Sequence, residues 1–274
     1  MTIKEALQIS RDISDNHGFE GLWLLEKITG VSVAGLYLAD QNSTLAEQYK
    51  QKFLEMIEQR KNKVPLQYIL GEWDFMGFPI KCRKNVLIPR RDTEILVEDA
   101  AKYLTNNTNN NKTLLDLCTG TGCIGIALAE FFSHITFADI SADAIALAQE
   151  NAELNEISHK ATFVQSDLFD KINGRFDCIT VNPPYIETDV LPTLSPEVQQ
   201  EPTLALDGGE DGLDFYRKII PVCKNFLAPN GSIFLEIGDE QGQDVRYLLK
   251  QNGFANVLII KDLELRDRVV HSTI

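Results

Sequence analysis

The chain has 274 residues, 44% of them hydrophobic, and a net charge of −14, enough length and apolar content for one large domain with a smaller companion. So acidic a protein is poorly suited to neutralising many phosphates. No run reaches the ~18 apolar residues of a membrane span, and Met1 to Leu7 lacks a basic-then-apolar targeting pattern, so a cytoplasmic protein without membrane contact is expected.

Residues 1 to about 70 carry helical spacing throughout: Ile3, Leu7, Ile9 and Ile13, then Leu22, Leu24, Leu25 and Ile28, then Phe53, Leu54 and Ile57 with Leu66, Ile69 and Leu70. A small all-helical domain over 1–71 is predicted. Asn16-His17-Gly18 and Thr29-Gly30 break its earlier helices, and Thr44 with Glu47 has the spacing of a capping box for the third long one. Residues 72–91 change to short aromatic and β-branched runs around Gly77-Phe78-Pro79, which predicts a β-hairpin linker. Over 92–274 helices and strands alternate. Helices are expected at 92–104, 123–132, 142–156, 214–227 and 241–251, and a polar Thr-Asn run at 105–111 reads as a surface loop. Strands are expected at 113–118, 135–139, 161–166, 176–181, 231–237, 256–260 and 267–273. This is the pattern of an α/β fold, a doubly wound, mostly parallel seven-stranded sheet, with its last two strands too close in sequence for a crossover and so antiparallel.

Charge is unevenly spread. From Arg60 to Arg91 eight basic residues face only Glu72 and Asp74, a local +6, whereas Pro184 to Phe215 holds eight acids and no base, a local −8. The basic stretch would help grip a partner, and the acidic one would repel a phosphate backbone. The five cysteines (Cys82, Cys118, Cys123, Cys178 and Cys223) form no C-x-x-C pair and the four histidines have no metal-binding spacing, so buried thiols and no metal are expected.

Leu114 to Gly125 reads as strand, glycine-rich turn and helix start. Gly120, Gly122 and Gly125 match G-x-G-x-x-G, and Asp139 ends the next strand about 20 residues on, placed to bond ribose hydroxyls. Taken literally this says dinucleotide. Asp116 speaks against it, because a carboxylate just before the turn would repel a pyrophosphate and suit a positive group. S-adenosylmethionine carries an ammonium and a sulfonium. Its methionine part would run along Cys118, Thr119, Gly120, Thr121 and Gly122, its ribose would meet Asp139, and its adenine would lie near Asp167 and Leu168.

The fourth strand, 176–181, delivers Asn182-Pro183-Pro184-Tyr185 to the same edge of the sheet. Two successive prolines carry no N–H and fix φ near about −65°, which leaves the carbonyls of Asn182 and Pro183 and the Asn182 side-chain oxygen as acceptors without local donors. Such a turn fits a planar NH2 group, with Tyr185 as a flat face beside it. Methyl transfer to a planar nitrogen is the chemistry these two turns suggest together.

These residues resemble the class I methyltransferases with an Asn-Pro-Pro-Tyr motif, and more closely the release factor glutamine methyltransferases of the PrmC/HemK type. Pro65 to Gly71, Val86 to Arg90, Asp92-Thr93-Glu94, Asp116 to Gly122, Asn182 to Ile186, Glu201-Pro202, Ala205-Leu206 and Gly208 to Leu213 carry the resemblance. It implies S-adenosylmethionine as cofactor, with Asn182 reaching it as well. It implies peptide chain release factors as the protein partner, methylated on the glutamine of their Gly-Gly-Gln loop, with no direct nucleic-acid partner. In that setting the Asn182 side-chain oxygen and the Pro183 carbonyl would accept the amide hydrogens, and Tyr185 would pack on the amide. Residues 1–71 would be the substrate-recognition domain and 92–274 the methyltransferase domain. A ribosomal-protein glutamine or the exocyclic amino group of adenine or guanine would suit the same pocket, and a non-catalytic nucleotide-binding module would need no acceptor-rich turn. Cys118 stands where the family more often has glycine, Arg91 where it has proline, and Leu265 where glycine is expected.

Overall fold

The computed structural model describes residues 1–13, 19–106 and 112–274. The expected break at Asn16-His17-Gly18 and positions 107–111 of the polar run lie outside them. The chain divides into two compact units, Met1–Gly71 with Ser195–Gln200, and Glu72–Leu194 with Glu201–Ile274. No helix among the described residues is long and apolar enough to cross a membrane.

The smaller unit contains α1 (Ile3–Asp12), α2 (Phe19–Thr29), α3 (Val33–Leu38), α4 (Glu47–Lys61) and α5 (Leu66–Leu70). Its apolar positions turn inward: Leu7, Leu22, Leu25, Phe53 and Ile57 are buried, each such side chain contributing about 1.5–3 kcal/mol. The capping box sits at the first helix and not where the sequence pattern suggests. Glu5 N donates to Thr2 Oγ1 at 3.2 Å and Thr2 N to Glu5 Oε2 at 2.7 Å. Helix α4 starts after Ala46 with no side-chain cap, because Thr44 is drawn into an antiparallel bridge with Thr2. At the far end of α4, Arg60 donates to Glu20 at 2.6 Å and to Glu197 at 3.0 Å.

The larger unit begins with a hairpin, β1 (Glu72–Phe75) and β2 (Phe78–Lys81). Met76 and Gly77 between them both have positive φ, 53° and 85°, the conformation of the two-residue turn whose twist matches paired strands. Then come α6 (Arg91–Asn106), β3 (Thr113–Leu117), α7 (Cys123–Ala127), β4 (His134–Asp139), α8 (Ala142–Leu154), β5 (Ala161–Gln165) and β6 (Phe176–Val181), followed by α9 (Asp214–Cys223), β7 (Leu227–Glu236), α10 (Gly242–Gln251), β8 (Ala255–Lys261) and β9 (Asp267–Thr273). The sheet runs β5-β4-β3-β6-β7-β9-β8. It is parallel from β5 to β7, and β9 is antiparallel to both its neighbours. Helices cover both faces, so the central strands are apolar runs rather than alternating ones. The expected helix at 123–132 is shorter, α7 giving way to a 3-10 turn at Ala129–Phe131.

The hairpin, expected as a connector, is fastened to α8. Asn151 accepts from Lys81 N at 2.8 Å and returns a bond to the Lys81 carbonyl at 3.2 Å, while Asn155 donates to the Pro79 carbonyl at 3.0 Å. Strand order reverses between β3 and β6, and ligands of such sheets gather at the carboxyl ends of the strands flanking that point.

Candidate active site

A cavity of about 250 Å³ opens there. The ends of four parallel strands feed it: Leu117 to Thr121 after β3, Asp139 to Ser141 after β4, Ser166 to Leu168 after β5, and Asn182 with Pro184 after β6. The segment 85–90 and the turn at Pro202 to Ala205 complete the wall. Both are held by one buried carboxylate, since Ile88 N donates to Glu201 Oε2 at 3.0 Å and the Arg90 guanidinium to Glu201 Oε1. Two of the separated sequence blocks, Ile88-Pro89-Arg90 and Glu201-Pro202, thus meet as a single strap and its anchor.

Three amides of the glycine-rich turn are not available to a phosphate. Thr119 N donates to the Ala138 carbonyl at 3.0 Å, Gly122 N to the Thr119 carbonyl at 2.8 Å, and Gly120 N to Asp139 Oδ2 at 2.9 Å. Phosphate cradles of this kind depend on free backbone N–H groups, and these three are spent. Asp139 also accepts from Ser141 N at 2.9 Å; a carboxylate has about four acceptor sites, so it keeps capacity for hydroxyl donors. Burial raises its pKa. Gly125 packs so tightly that a Cβ there would lie 2.4 Å from the Phe137 ring, which is the close helix–strand approach the third glycine of the pattern provides.

Cys118 lines the cavity with φ of 57°. A side chain in this left-handed region is strained, whereas glycine adopts it freely. Gly122 caps α7 and faces the Ala148 and Phe137 side chains, so it shapes the turn without being a cavity wall.

Asp116 departs from the sequence expectation. It is fully buried and does not line the cavity. Its Oδ2 accepts from Thr119 Oγ1 at 2.5 Å and Gly125 N at 3.2 Å, and its Oδ1 accepts from Thr180 Oγ1 at 2.9 Å. Direct contact with a cationic ligand group is therefore corrected to a brace under the turn: register pairs Asp116 with Thr180 on β6, and the carboxyl is consumed between strand and helix. Burial pushes its pKa up to about 7.

In the second turn, Asn182 Nδ2 donates to Thr93 Oγ1 at 3.2 Å. This leaves Oδ1 as the atom Asn182 turns to the cavity. Among the described residues, none of the turn and loop hydrogen bonds ends on the carbonyl of Asn182 or Pro183, as the paired prolines imply. Pro183 and Tyr185 are not among the cavity walls. Tyr185 points its hydroxyl inward to Glu236 Oε1 at 3.3 Å, and its carbonyl accepts from Gln241 Nε2 at 3.0 Å. Burial raises its phenol pKa. The expected flat face against a substrate amide is thus replaced by an anchor.

The segment Gly208 to Gly212 clamps this turn from behind. Ile186 N donates to the Leu206 carbonyl at 3.0 Å and Gly208 N to the Ile186 carbonyl at 2.7 Å, and at Gly212, where φ is +70°, a Cβ would sit 2.3 Å from the Tyr185 carbonyl oxygen. Thr93, Glu236 and Gln241 are the supports that sequence reading missed. A carboxylate inside the apolar run Ile233-Phe234-Leu235-Glu236-Ile237 was the available signal, because a buried charge needs a purpose.

The charge runs dissolve on inspection. Asp211 and Asp214 pair with Arg217, Glu197 with Arg60, and Glu201 with Arg90, while Asp207 accepts from Thr188 Oγ1 and Gly209 N. On the basic side Lys81 and Arg83 pair with Glu150. Four of the eight acids of the expected −8 lip are thus paired, on three arginines, so repulsion of a phosphate backbone is a weaker discriminator than the sequence suggests.

A family model described as PrmC N-terminal domain matches residues 3–71, and one described as Methyltransferase small domain matches 93–195. The release factor glutamine methyltransferase of Thermodesulfovibrio yellowstonii is 39% identical over 273 residues, covering 97% of each chain. That of Clostridium acetobutylicum is 35% identical over 280 residues, covering 98% of each. Among solved structures, a 16S rRNA N2 methyltransferase of T. thermophilus in complex with AdoMet and guanosine is 18% identical with a TM-score of 0.54, covering 74% of this chain and 49% of that one, a likeness of fold.

Proposed function

The chain belongs to the release factor glutamine methyltransferase family, and on that premise we propose that it transfers a methyl group from S-adenosylmethionine to the side-chain amide nitrogen of the glutamine in the Gly-Gly-Gln loop of peptide chain release factors. One observation carries the proposal: a turn whose two prolines bring acceptors without donors, with Asn182 Oδ1 directed by Thr93, opens into the same cavity as a glycine-rich turn in which the amides of Thr119, Gly120 and Gly122 are spent. The first suits an NH2 group and the second suits a cofactor without phosphates.

Cys118, Thr119, Gly120, Thr121, Asp139, Asp167 and Leu168 would hold S-adenosylmethionine, with Asp116 and Gly122 shaping the turn from beneath. The carboxylates of Asp139 and Asp167 at the cavity wall fit a ligand carrying hydroxyls and positive charge. When bound, the cofactor supplies an electrophilic methyl group. An amide nitrogen is a weak nucleophile, since its lone pair is shared with the carbonyl. Asn182 Oδ1 accepts one of its hydrogens at the cavity wall, and the Pro183 carbonyl, which lies behind that wall and takes no turn or loop hydrogen bond, is the proposed acceptor of the second once substrate is bound; positioning of this kind contributes up to roughly 7–11 kcal/mol. The nitrogen gains a carbon and releases one hydrogen as a proton to water. Pro184 walls the site, and Tyr185 stiffens the turn through Glu236 and Gln241. The helical unit is the proposed substrate-recognition domain.

The test is peptide-mass analysis after incubation with S-adenosylmethionine and, separately, a release factor, a ribosomal-protein mixture, duplex DNA and ribosomal RNA. A single methyl on the glutamine of the Gly-Gly-Gln peptide is expected. Methyl transfer only to a base, or only to a ribosomal-protein glutamine, overturns the proposed substrate.

A further inference from the structure

An asparagine presents either an acceptor or a donor to its substrate, according to how its amide is flipped. At Asn182 that choice is settled beneath the turn. Asn182 Nδ2 donates to Thr93 Oγ1 at 3.2 Å. Thr93 is 2% exposed, so its own hydroxyl hydrogen must be placed on protein. The polar group beside it is the Glu236 carboxyl, 1% exposed at the end of β7. Glu236 Oε1 already accepts from the Tyr185 hydroxyl at 3.3 Å. Its Oε2 has no hydrogen-bond partner among the described residues, and the Thr93 hydroxyl is one of the groups that act on this carboxyl. A buried oxygen left without a donor is costly, and a small turn of the Thr93 hydroxyl toward it satisfies both groups.

Resting on the reading of Asn182 as acceptor of the substrate amide hydrogens, we propose that Glu236 is a positioning residue for methyl transfer: through Thr93 it locks the Asn182 carbonyl oxygen toward the substrate, and through Tyr185 it fixes the other end of the same turn. An ionised carboxylate has no hydrogen to give. Thr93 must therefore donate to it and accept from Asn182, and Asn182 cannot present its NH2 to the cavity. With a donor at position 236 that direction is no longer forced. The Thr93 hydroxyl is free to rotate toward Asn182, and a flipped Asn182 sets NH2 against NH2.

The ionisation of Glu236 is itself poised. Burial pushes its pKa up to about 7, Asp92 at the start of α6 adds to the rise, and Arg268 on β9 opposes it. Tyr185 and Tyr216 also face it, Tyr216 donating to the Glu236 backbone carbonyl at 2.7 Å, and Cys123 of α7 lies within its field. Protonation as the pH falls through about 7 supplies the unwanted donor, so turnover carries an acid limb that depends on Thr93.

Glu236→Gln and Thr93→Val, each alone and each combined with Asn182→Ala, test this by kcat, release-factor KM, cofactor affinity and thermal unfolding. Each single variant is expected to lower kcat about tenfold or more, with KM and cofactor affinity within about twofold, and to add little to the loss in Asn182→Ala, because residues acting as one unit are not additive. The acid limb should vanish in Thr93→Val. Should Glu236→Gln fail to fold, Thr93→Val decides by the same readings. Unchanged kcat in the folded single variants, or losses that multiply with that of Asn182→Ala, overturn the positioning role while leaving the substrate assignment standing. Full turnover by Asn182→Ala instead removes the acceptor reading on which both depend.

Discussion

The two turns at the mouth of the sheet reach similar ends by different means. In the turn after β3 three backbone donors, those of Thr119, Gly120 and Gly122, exist but are used up by the Ala138 and Thr119 carbonyls and by Asp139. In the turn after β6 the donors are missing covalently, because Pro183 and Pro184 have no N–H. Each turn stands on a buried carboxyl raised to about 7, Asp116 under the first and Glu236 under the second. The two differ in how well they are satisfied. Asp116 takes three donors across both oxygens, whereas Glu236 keeps one oxygen without a well-formed bond. A fully satisfied carboxyl serves as a rivet, and a partly satisfied one retains freedom to affect its neighbours.

The sharpest way to break that comparison is at the second turn. Asn182→Ala removes the directed acceptor and should lower turnover by roughly 10² or more, as loss of comparable orienting contacts does, with cofactor affinity nearly unchanged. Steady-state methylation and equilibrium binding separate the two. Loss of cofactor affinity with undiminished turnover would mean that Asn182 serves the first turn instead.

Next is the rivet. Asp116 ionises at about 7 in the folded chain against an ordinary 3.8. The folded state thus holds the proton more tightly than the unfolded one, and the stability this contributes is present at low pH and lost as pH rises through about 7. Wild type should be favoured over Asp116→Asn near about pH 5, and the difference should move by about 2 kcal/mol toward the variant near about pH 8. Urea unfolding at both pH values measures it. A difference independent of pH would show that the carboxyl titrates normally.

Much of this was legible in the chain. Seven apolar strands interleaved with helical spacing gave the sheet and its antiparallel end, because periodicity reports which faces are buried. Asn182-Pro183-Pro184 was legible because proline chemistry is local. What resisted reading depended on partners distant in sequence. Asp116 looked like a ligand group until its pairing with Thr180 was known, and a strand end alone does not say which way a side chain faces. Thr44 and Glu47 had capping spacing, but Thr44 was claimed by Thr2. The +6 and −8 runs looked like opposed surfaces because Glu150 and Arg217, which neutralise parts of them, lie outside both.

A smaller effect is expected at the strap. Glu201→Gln keeps shape but discharges the anchor of Ile88 N and Arg90, and so should loosen one cavity wall without touching either turn. Cofactor affinity should weaken about tenfold, near the ~1.4 kcal/mol expected for a partly exposed charged pair, while kcat at saturating cofactor stays within about twofold. A fall in kcat with unchanged affinity would place the strap on the acceptor side of the site.

The smallest effect separates backbone strain from side-chain packing in the first turn. Cys118 adopts φ of 57°, a conformation costing a non-glycine residue about 1–2 kcal/mol. Cys118→Gly relieves that strain, while glycine's larger loss of freedom on folding returns roughly 0.5–1 kcal/mol. The thiol itself is half-buried against the main core, so some packing is lost as well. The strain is the larger quantity, and the variant should be more stable by a few tenths of a kcal/mol up to about 1 kcal/mol, read as a small rise in urea midpoint. Because Gly120 and Gly122 already hold positive φ on either side of Thr121, the spent amides should stay spent and cofactor affinity should not fall. A less stable Cys118→Gly would show that packing of the thiol outweighs the strained backbone, and that this chain holds its first turn by side-chain contact.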